Sequence, residues 1–402
     1  MTPATRRSPH EGKPRLRVLI GADTFWPEIN GAATFIARLS AGLAERGHDV
    51  HIAAPSYSNK KLGPQIEEHE GQKITVHRIY SWRWYPHPWL RFMLPWRTKQ
   101  NNAKILDLVK PDVAHFQSHI VVGRGMSIEG EKRGVRLIGT NHFMPENLLE
   151  YTLIIPPFLR DWAVKLAWKA ADRTFRRAER VTTPTQKAAD YLEANTSVQD
   201  VLAISCGLDA HNYTPNLKPR TDNLIVFLGR MVEEKQIDKL IKAFAKLDPA
   251  LDARLEVVGG GEQEGKLRAL AASLGVADRV KLTGYVDEAY LRNALTRATV
   301  FAMPSIAELQ SISTMEAMAS GLPVVAANAM ALPHLVHDGE NGFLFEPGNV
   351  DDFAEKLNRV LTMPEAELLK FKKESLRIVE SHDIQRTLDT FESLYRGEPV
   401  ED

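Results

Sequence analysis

The sequence predicts an α/β protein of two doubly wound domains, each a parallel sheet covered by helices, facing each other across a central cleft. Three observations predict it. Short Val-, Ile- and Leu-rich runs alternate with amphipathic helical patterns almost from end to end, the mark of repeated βαβ units. The 402 residues suffice for two or three domains. The two halves also differ. Residues 1–200 hold 29 Lys and Arg against 20 Asp and Glu, and residues 201–402 hold 22 against 31, so a zero net charge hides +9 in one half and −9 in the other. All seven Trp lie in the first half. Opposite charge and unequal aromatic content imply domains with different partners.

In the first half, strands are predicted at 18–20, 50–54, 74–79, 113–116, 137–140 and 181–183. A helix over about 34–46 stops at Gly47, a residue suited to a helix C-cap. In the second half, strands are predicted at 224–228, 255–258, 280–282, 300–303 and 324–327, with helices at about 235–246, 262–274, 287–297 and 311–320. Residues 209–222, with Pro215 and Pro219, read as a linker. The domains are therefore expected at 1–208 and 209–382, with 383–402 a C-terminal helix and tail. In such sheets ligands sit beyond the carboxyl ends of the strands.

Composition excludes several classes. A chain 44% hydrophobic and 25% charged is an ordinary soluble globular one, not disordered or collagen-like. The single cysteine, Cys206, cannot form an internal disulfide. No apolar run approaches the ~20 residues of a membrane-spanning helix. Residues 1–17 are basic and polar with no apolar run after them. They do not match a cleaved secretion signal and read as a disordered arm.

Three groups of residues in the second half bear on chemistry. Gly229-Arg230 and Glu234-Lys235 follow a strand and open a helix. Two cations five residues apart suit a diphosphate, with helix amides as further donors; a solvated charged loop fits equally. Gly259-Gly260-Gly261 lacks the spacing of a dinucleotide fingerprint and fits a tight strand-to-helix turn as well. Gly284 and Tyr285 end the next strand, where backbone groups can meet a base. Glu308 and Glu316 stand eight residues apart, the first in a loop and the second about one turn into a helix. Eight helical steps turn the chain by about 80°, so both carboxylates can face one ligand, toward which the amides of 310–313 would point. Carboxylates accept well from sugar hydroxyls. Read alone, the pattern favours Glu308 as a cap of the helix and Glu316 on the surface.

The stretch from Glu308 through Glu316 to Ala319-Ser320-Gly321-Leu322-Pro323-Val324 resembles the signature of retaining nucleotide-sugar glycosyltransferases of family 4, closest to their lipid-modifying hexosyltransferases of the diacylglycerol glucosyl- or mannosyltransferase kind. Gly229-Arg230 with Lys235 is similar to that family's phosphate-binding pair. The 257–261, 282–286 and 341–344 segments fall in the expected order, and the resemblance runs from about residue 17 to 353. It implies a GT-B fold, two Rossmann-like domains with the donor bound by the second. On that resemblance Arg230 and Lys235 hold the diphosphate, Glu308 the transferred sugar and Glu316 the ribose, with Gly260, Tyr285, Gln310, Ser311 and Ile312 completing the donor site. No divalent metal or other cofactor is implied. Leu309, where a small residue or Thr is common, and Cys206, where Asn is usual, depart from the pattern without removing a charge.

In the first half, 27–34 resembles the family's glycine loop near the diphosphate, with Gly31 retained and Ala32 in place of a second Gly. His115, His119 and His142 sit at strand ends. The 140–147 segment resembles one in lipid-modifying members whose His faces the transferred sugar, so His142 is expected beside Glu308, Arg230 and Lys235 in the catalytic group, with His119 on the acceptor side. A zinc site from three His would lack an i,i+4 pair or a cysteine. Trp82, Trp84, Trp89 and Trp96 alternate with Arg91 and Arg97. Further on, Lys165, Arg173, Arg176 and Arg177 recur with Trp162 and Trp168 at helical spacings. Such residues suit an anionic membrane surface; packing under loops or single-stranded nucleic acid would also fit, but no nucleic-acid module is recognisable.

The expectation is a retaining glycosyltransferase that moves a hexose of the mannose or glucose type from a nucleoside-diphosphate sugar, UDP-glucose or GDP-mannose, to a membrane lipid or lipid-linked glycoside. It would be cytoplasmic and peripheral on the inner face of the cell membrane, with no nucleic-acid partner. The alternatives are a nucleotide-sugar epimerase of the same fold and a non-catalytic membrane-binding relative.

Overall fold

The computed structural model describes residues 8–28, 30–58, 60–83, 91–144 and 157–400. The chain divides into Met1–Ser205 with Gln385–Asp402, and Cys206–Ile384. The sequence expectation differs by three residues at the first crossing and by the terminal helix, which belongs to the first unit.

The first unit runs β1 (Arg17–Gly21), α1 (Gly31–Glu45), β2 (Asp49–Pro55), β3 (Gly63–His69), β4 (Gln72–Ile79), β5 (Trp82–Arg83), β6 (Arg91–Phe92), α2 (Pro95–Val109), β7 (Val113–Phe116), α3 (Val122–Lys132), β8 (Arg136–Thr140), α4 (Arg160–Phe175), β9 (Arg180–Thr183), α5 (Gln186–Asn195) and β10 (Leu202–Ala203). Its sheet has the order β10-β9-β8-β7-β1-β2-β4-β3. All pairs are parallel except β3 with β4. The sequence reading missed β3, an edge strand that turns Pro64, Ile66 and Glu68 outward and keeps polar Gln65 and Glu67 on its more covered face, so it carries no apolar run. Its signal was Glu70-Gly71, both at positive φ, as the tightest hairpin turns require.

The second unit runs β11 (Leu224–Leu228), α6 (Ile237–Ala245), β12 (Arg254–Val258), α7 (Glu264–Ser273), β13 (Val280–Leu282), α8 (Glu288–Arg297), β14 (Val300–Met303), α9 (Ile312–Ala319), β15 (Val324–Ala327), α10 (Leu332–Leu335), β16 (Gly342–Phe345), α11 (Val350–Thr362) and α12 (Glu365–Val379). The order β13-β12-β11-β14-β15-β16 is parallel throughout. β11 is fully buried, Leu-Ile-Val-Phe-Leu, as a central parallel strand must be.

In each sheet the chain leaves a central strand to one side and later returns on the other. These topological switch points lie between β1 and β7 and between β11 and β14. There the flanking loops diverge and leave a crevice at the strand ends. In the first unit Asp23 fills that place. Its carboxylate accepts from the amides of Val121 (2.9 Å), Val122 (2.7 Å) and Gly123 (3.2 Å) and from the Ser118 hydroxyl. The α3 N-terminus is thus capped by a residue about 100 positions upstream.

The terminal helix α13 (Ile384–Arg396) packs Leu388, Phe391, Leu394 and Tyr395 into the interior. Gly42 on α1 leaves room for Leu388, Phe391 meets Phe35, and Arg46 pairs with Asp389 and Glu392 at 2.8 and 3.2 Å. These contacts are why 385–402 joins the first unit. The described part of the N-terminal arm is not disordered: Lys13 pairs with Glu398 at 2.7 Å and buried His10 bonds to the Asp389 carbonyl at 3.1 Å. Residues 1–7 lie outside the described residues.

Candidate active site

At the switch point of the second unit, two loops are held together by glycine. The Gly229 N–H donates to Val258 O (3.0 Å) and the Met231 N–H to Gly260 O (2.9 Å). A Cβ on Gly259, whose φ is +127°, would stand 2.1 Å from Gly229 O, and one on Gly261 would stand 2.4 Å from Met231 O. Of the two readings of this triplet, the structure supports the tight turn. Gly260 and Tyr285 are neighbours, because a Cβ on Gly260 would strike the exposed Tyr285 ring at 2.7 Å.

The turn after β11 carries the cations. Arg230 pairs with Glu234 at 3.4 Å. Lys235 forms an ion pair with Glu308, 73 residues away. Their side chains are only 15% and 11% exposed, so Lys235 is not part of a solvated charged loop. The Ile306 N–H donates to Glu234 O (3.2 Å) and the Ala331 N–H to Glu308 O (3.2 Å). The first bond seats the loop after β14 against the loop after β11, and the second ties it to the segment after β15.

Glu308 does not cap the helix. Residues 308–311 are not helical, and Ser311 sits in the left-handed region at φ +76° before α9 begins at Ile312. The eight-step helical rotation therefore does not apply. Gln310 Oε1 accepts from the Cys206 N–H (2.7 Å), and the Ser311 hydroxyl meets that of Thr314 (2.8 Å). Glu316 is buried, not on the surface, and accepts at Oε1 from the Tyr213 hydroxyl at 2.8 Å. Tyr213 was missed because it falls in the stretch read as a linker. Its signal was a large aromatic among polar and proline residues.

In the first unit, Gly31 opens α1, whose N-cap Asn30 accepts from the Ala33 N–H at 2.9 Å. His142 bonds through Nε2 to Gln117 Oε1 (2.8 Å) and leans on Phe35. His115 is fully buried between the Tyr395 hydroxyl (2.7 Å) and Thr140 (2.6 Å). His119 is buried against Phe175. Burial pushes His115 and His142 down to about 3 and His119 to about 4. Between those values and the ordinary 6.5, the unfolded chain binds protons that the folded one does not, so stability falls as pH drops below 6.5. Each such histidine contributes at most about 1.4 kcal/mol per pH unit. Urea unfolding from pH 7 to 5 is expected to show this fall, with a shallower slope in His115→Gln; an unchanged slope in that variant would contradict the assignment.

The outer face of α4 is the other notable surface. Phe158 just before the helix, and Trp162, Lys165, Leu166, Lys169, Arg173 and Arg176 along it, are all exposed, Phe158 by 82% and Trp162 by 63%. At 100° per residue they form one stripe. Trp168 is buried on the opposite face, and Arg177 pairs with Glu131 at 3.1 Å. A cavity of about 590 Å³ lies beside the stripe, lined by Trp162, Lys165, Trp168, Lys169 and 194–197. Trp82, Trp96 and Arg97 are exposed. Arg91 is not available to a membrane: its guanidinium bonds to Ser56 O (3.0 Å) and Ser81 O (3.2 Å) and stacks over Tyr57. Trp84 and Trp89 lie outside the described residues. No described helix is long and apolar enough to cross a membrane. Among the described residues no three His, Cys, Asp or Glu stand together as a metal site, so the three histidines do not form one.

Two doubly wound parallel sheets, the second bearing a cation–carboxylate pair at its switch point, define an enzyme of the GT-B glycosyltransferase class. Residues 29–212 match the family described as Glycosyltransferase Family 4 and residues 212–375 the family described as Glycosyl transferases group 1. The two matches abut and span most of the chain, which therefore belongs to these glycosyltransferases. Among curated relatives, it is 27% identical to the GDP-mannose-dependent alpha-mannosyltransferase of Mycolicibacterium smegmatis over 86% of this chain and 88% of that one. It is 25% identical to the alpha-monoglucosyldiacylglycerol synthase of Acholeplasma laidlawii over 82% and 85%. It spans 58% of the length of the Arabidopsis thaliana sulfoquinovosyl transferase SQD2, at 27% identity over 73% of this chain. The solved sucrose-phosphate synthase of Thermosynechococcus elongatus superposes with a TM-score of 0.79 over 95% of this chain and 99% of that one, at 19% identity, a likeness of fold.

Proposed function

We propose that this enzyme transfers a hexose, with retention of anomeric configuration and without a divalent metal, from a nucleoside-diphosphate sugar to a hydroxyl of a membrane lipid or lipid-linked glycoside at the inner face of the cell membrane. The observation that carries the reading is the Lys235–Glu308 pair between the loops after β11 and β14. It is a positive group suited to a diphosphate beside a carboxylate suited to sugar hydroxyls. Arg230 and Lys235 stabilise the charge that develops as the sugar–phosphate bond breaks. The acceptor oxygen bonds to the anomeric carbon on the face the leaving group vacates, and the departing phosphate takes the acceptor's proton. Glu308 orients the transferred sugar, and Glu316 holds the ribose.

The lipid acceptor is supported by the basic, aromatic face of α4 and by the name of the Acholeplasma relative. The test is to incubate the full chain with radiolabelled UDP-glucose or GDP-mannose and phosphatidylglycerol vesicles, with and without diacylglycerol, in EDTA. Label is expected in the organic phase, with an α-linked product by NMR. A Trp162→Glu, Leu166→Glu double variant is expected to release the protein from sedimented vesicles. Label found only as free or epimerised sugar, or transfer abolished by EDTA, would overturn the reading.

A further inference from the structure

The carboxylate of Glu316 is aimed by a residue from a distant part of the chain. Tyr213 stands 103 positions earlier, and both side chains are only 8% exposed. The phenol is held at three points. A short turn, Ala210–Asn212, begins with the Asp209 carboxylate accepting from the His211 N–H (3.0 Å) and ends with the Tyr213 N–H donating to Ala210 O (3.1 Å). The ring belongs to the apolar core of the second unit. The Arg292 guanidinium lies 5.8 Å from the ring centroid. The hydroxyl therefore meets Glu316 Oε1 from one fixed direction, while the Glu316 backbone is fixed by α9.

A hydroxyl donor differs in kind from a cation here. It satisfies one lone pair of a buried carboxylate without cancelling its charge. A carboxylate that keeps its charge and is held in one orientation is a strong acceptor for a vicinal diol. We propose that Tyr213 is a positioning residue that sets recognition of the donor's ribose through Glu316. The inference rests on Glu316 being the ribose acceptor, and the two claims separate by experiment.

Calorimetric titration of the full chain with whichever of UDP and GDP the wild-type protein binds, and with its 2′-deoxy and 3′-deoxy counterparts, reads the effect. Tyr213→Phe keeps the ring and removes only the donor. It is expected to weaken the ribonucleotide by ~10-fold, the scale of one hydrogen bond to a charged group, while changing the deoxynucleotides by less than ~2-fold. The preference for ribose thus collapses. Glu316→Gln, similar in size but uncharged, is expected to lose the preference in the same way. A Tyr213→Phe protein that keeps wild-type discrimination, or one that weakens all the nucleotides equally, overturns the proposal. If Glu316→Ala disturbs ribose recognition and Tyr213→Phe does not, the positioning role alone fails. If Glu316→Ala leaves it untouched, the ribose assignment fails and the proposal with it.

Discussion

Lys235→Ala is expected to lower kcat for sugar transfer by about 10²–10³-fold, the loss typical when one preorganised donor to a developing charge is removed. Lys235 and Glu308 are paired and mostly covered from solvent, so the ammonium acts where water screens little. The variant also leaves Glu308 without its cation, and that cost must be separated from catalysis. Glu308→Gln is the partner experiment, because it keeps the shape and removes the charge that Lys235 neutralises. Measuring kcat, KM and the thermal midpoint for both single variants and the double isolates the coupling. A Lys235→Ala enzyme within about threefold of wild type would show that the diphosphate is held elsewhere. Lys235→Arg is not expected to restore full activity, because a guanidinium fork does not fit a site built for a point charge.

Gly259→Ala is expected to have the largest effect on stability. The φ of +127° is strained for any side chain, and the added carbon would stand 2.1 Å from the Gly229 carbonyl oxygen and 3.0 Å from its carbon. Both are backbone atoms, so no rotamer change relieves the contact. The strained dihedral alone costs about 1–3 kcal/mol, and separating the loops after β11 and β12 adds to it. The expected total exceeds about 3 kcal/mol, read as a drop in the urea midpoint or in soluble yield. Gly265→Ala on α7 is the control. A Cβ there meets nothing within 4 Å, and alanine is the better helix former by about 1 kcal/mol. Should Gly259→Ala unfold within 1 kcal/mol of wild type, the close approach of the two loops would be wrong.

The strands were legible because parallel βαβ units leave a local imprint. A buried strand such as 224–228 is a short continuous apolar run, and a helix such as 237–245 repeats its apolar residues every three or four positions. Edge and surface elements left weaker traces. β3 turns Ile66 outward and keeps polar Gln65 and Glu67 on its more covered face, and α4 carries its aromatics on the solvent side as well as the core side. The same ambiguity explains Arg91. The adjacent Phe92 is exposed, yet the Arg91 guanidinium turns inward to carbonyls at Ser56 and Ser81, and spacing cannot report which way one long side chain turns.

By itself the sequence determined the two-sheet architecture, the glycine turns at strand ends and the set of charged residues available to a donor. Those follow from local sterics and periodicity, which a short window contains. Only the tertiary structure decided the partners: Lys235 with Glu308, Tyr213 with Glu316, the Gln310 side chain with the Cys206 amide, and Asp23 with the start of α3. Each joins residues about 70–100 positions apart. The order of strands in the sheet and the packing of the loops beyond it bring them together, and no local pattern specifies that order.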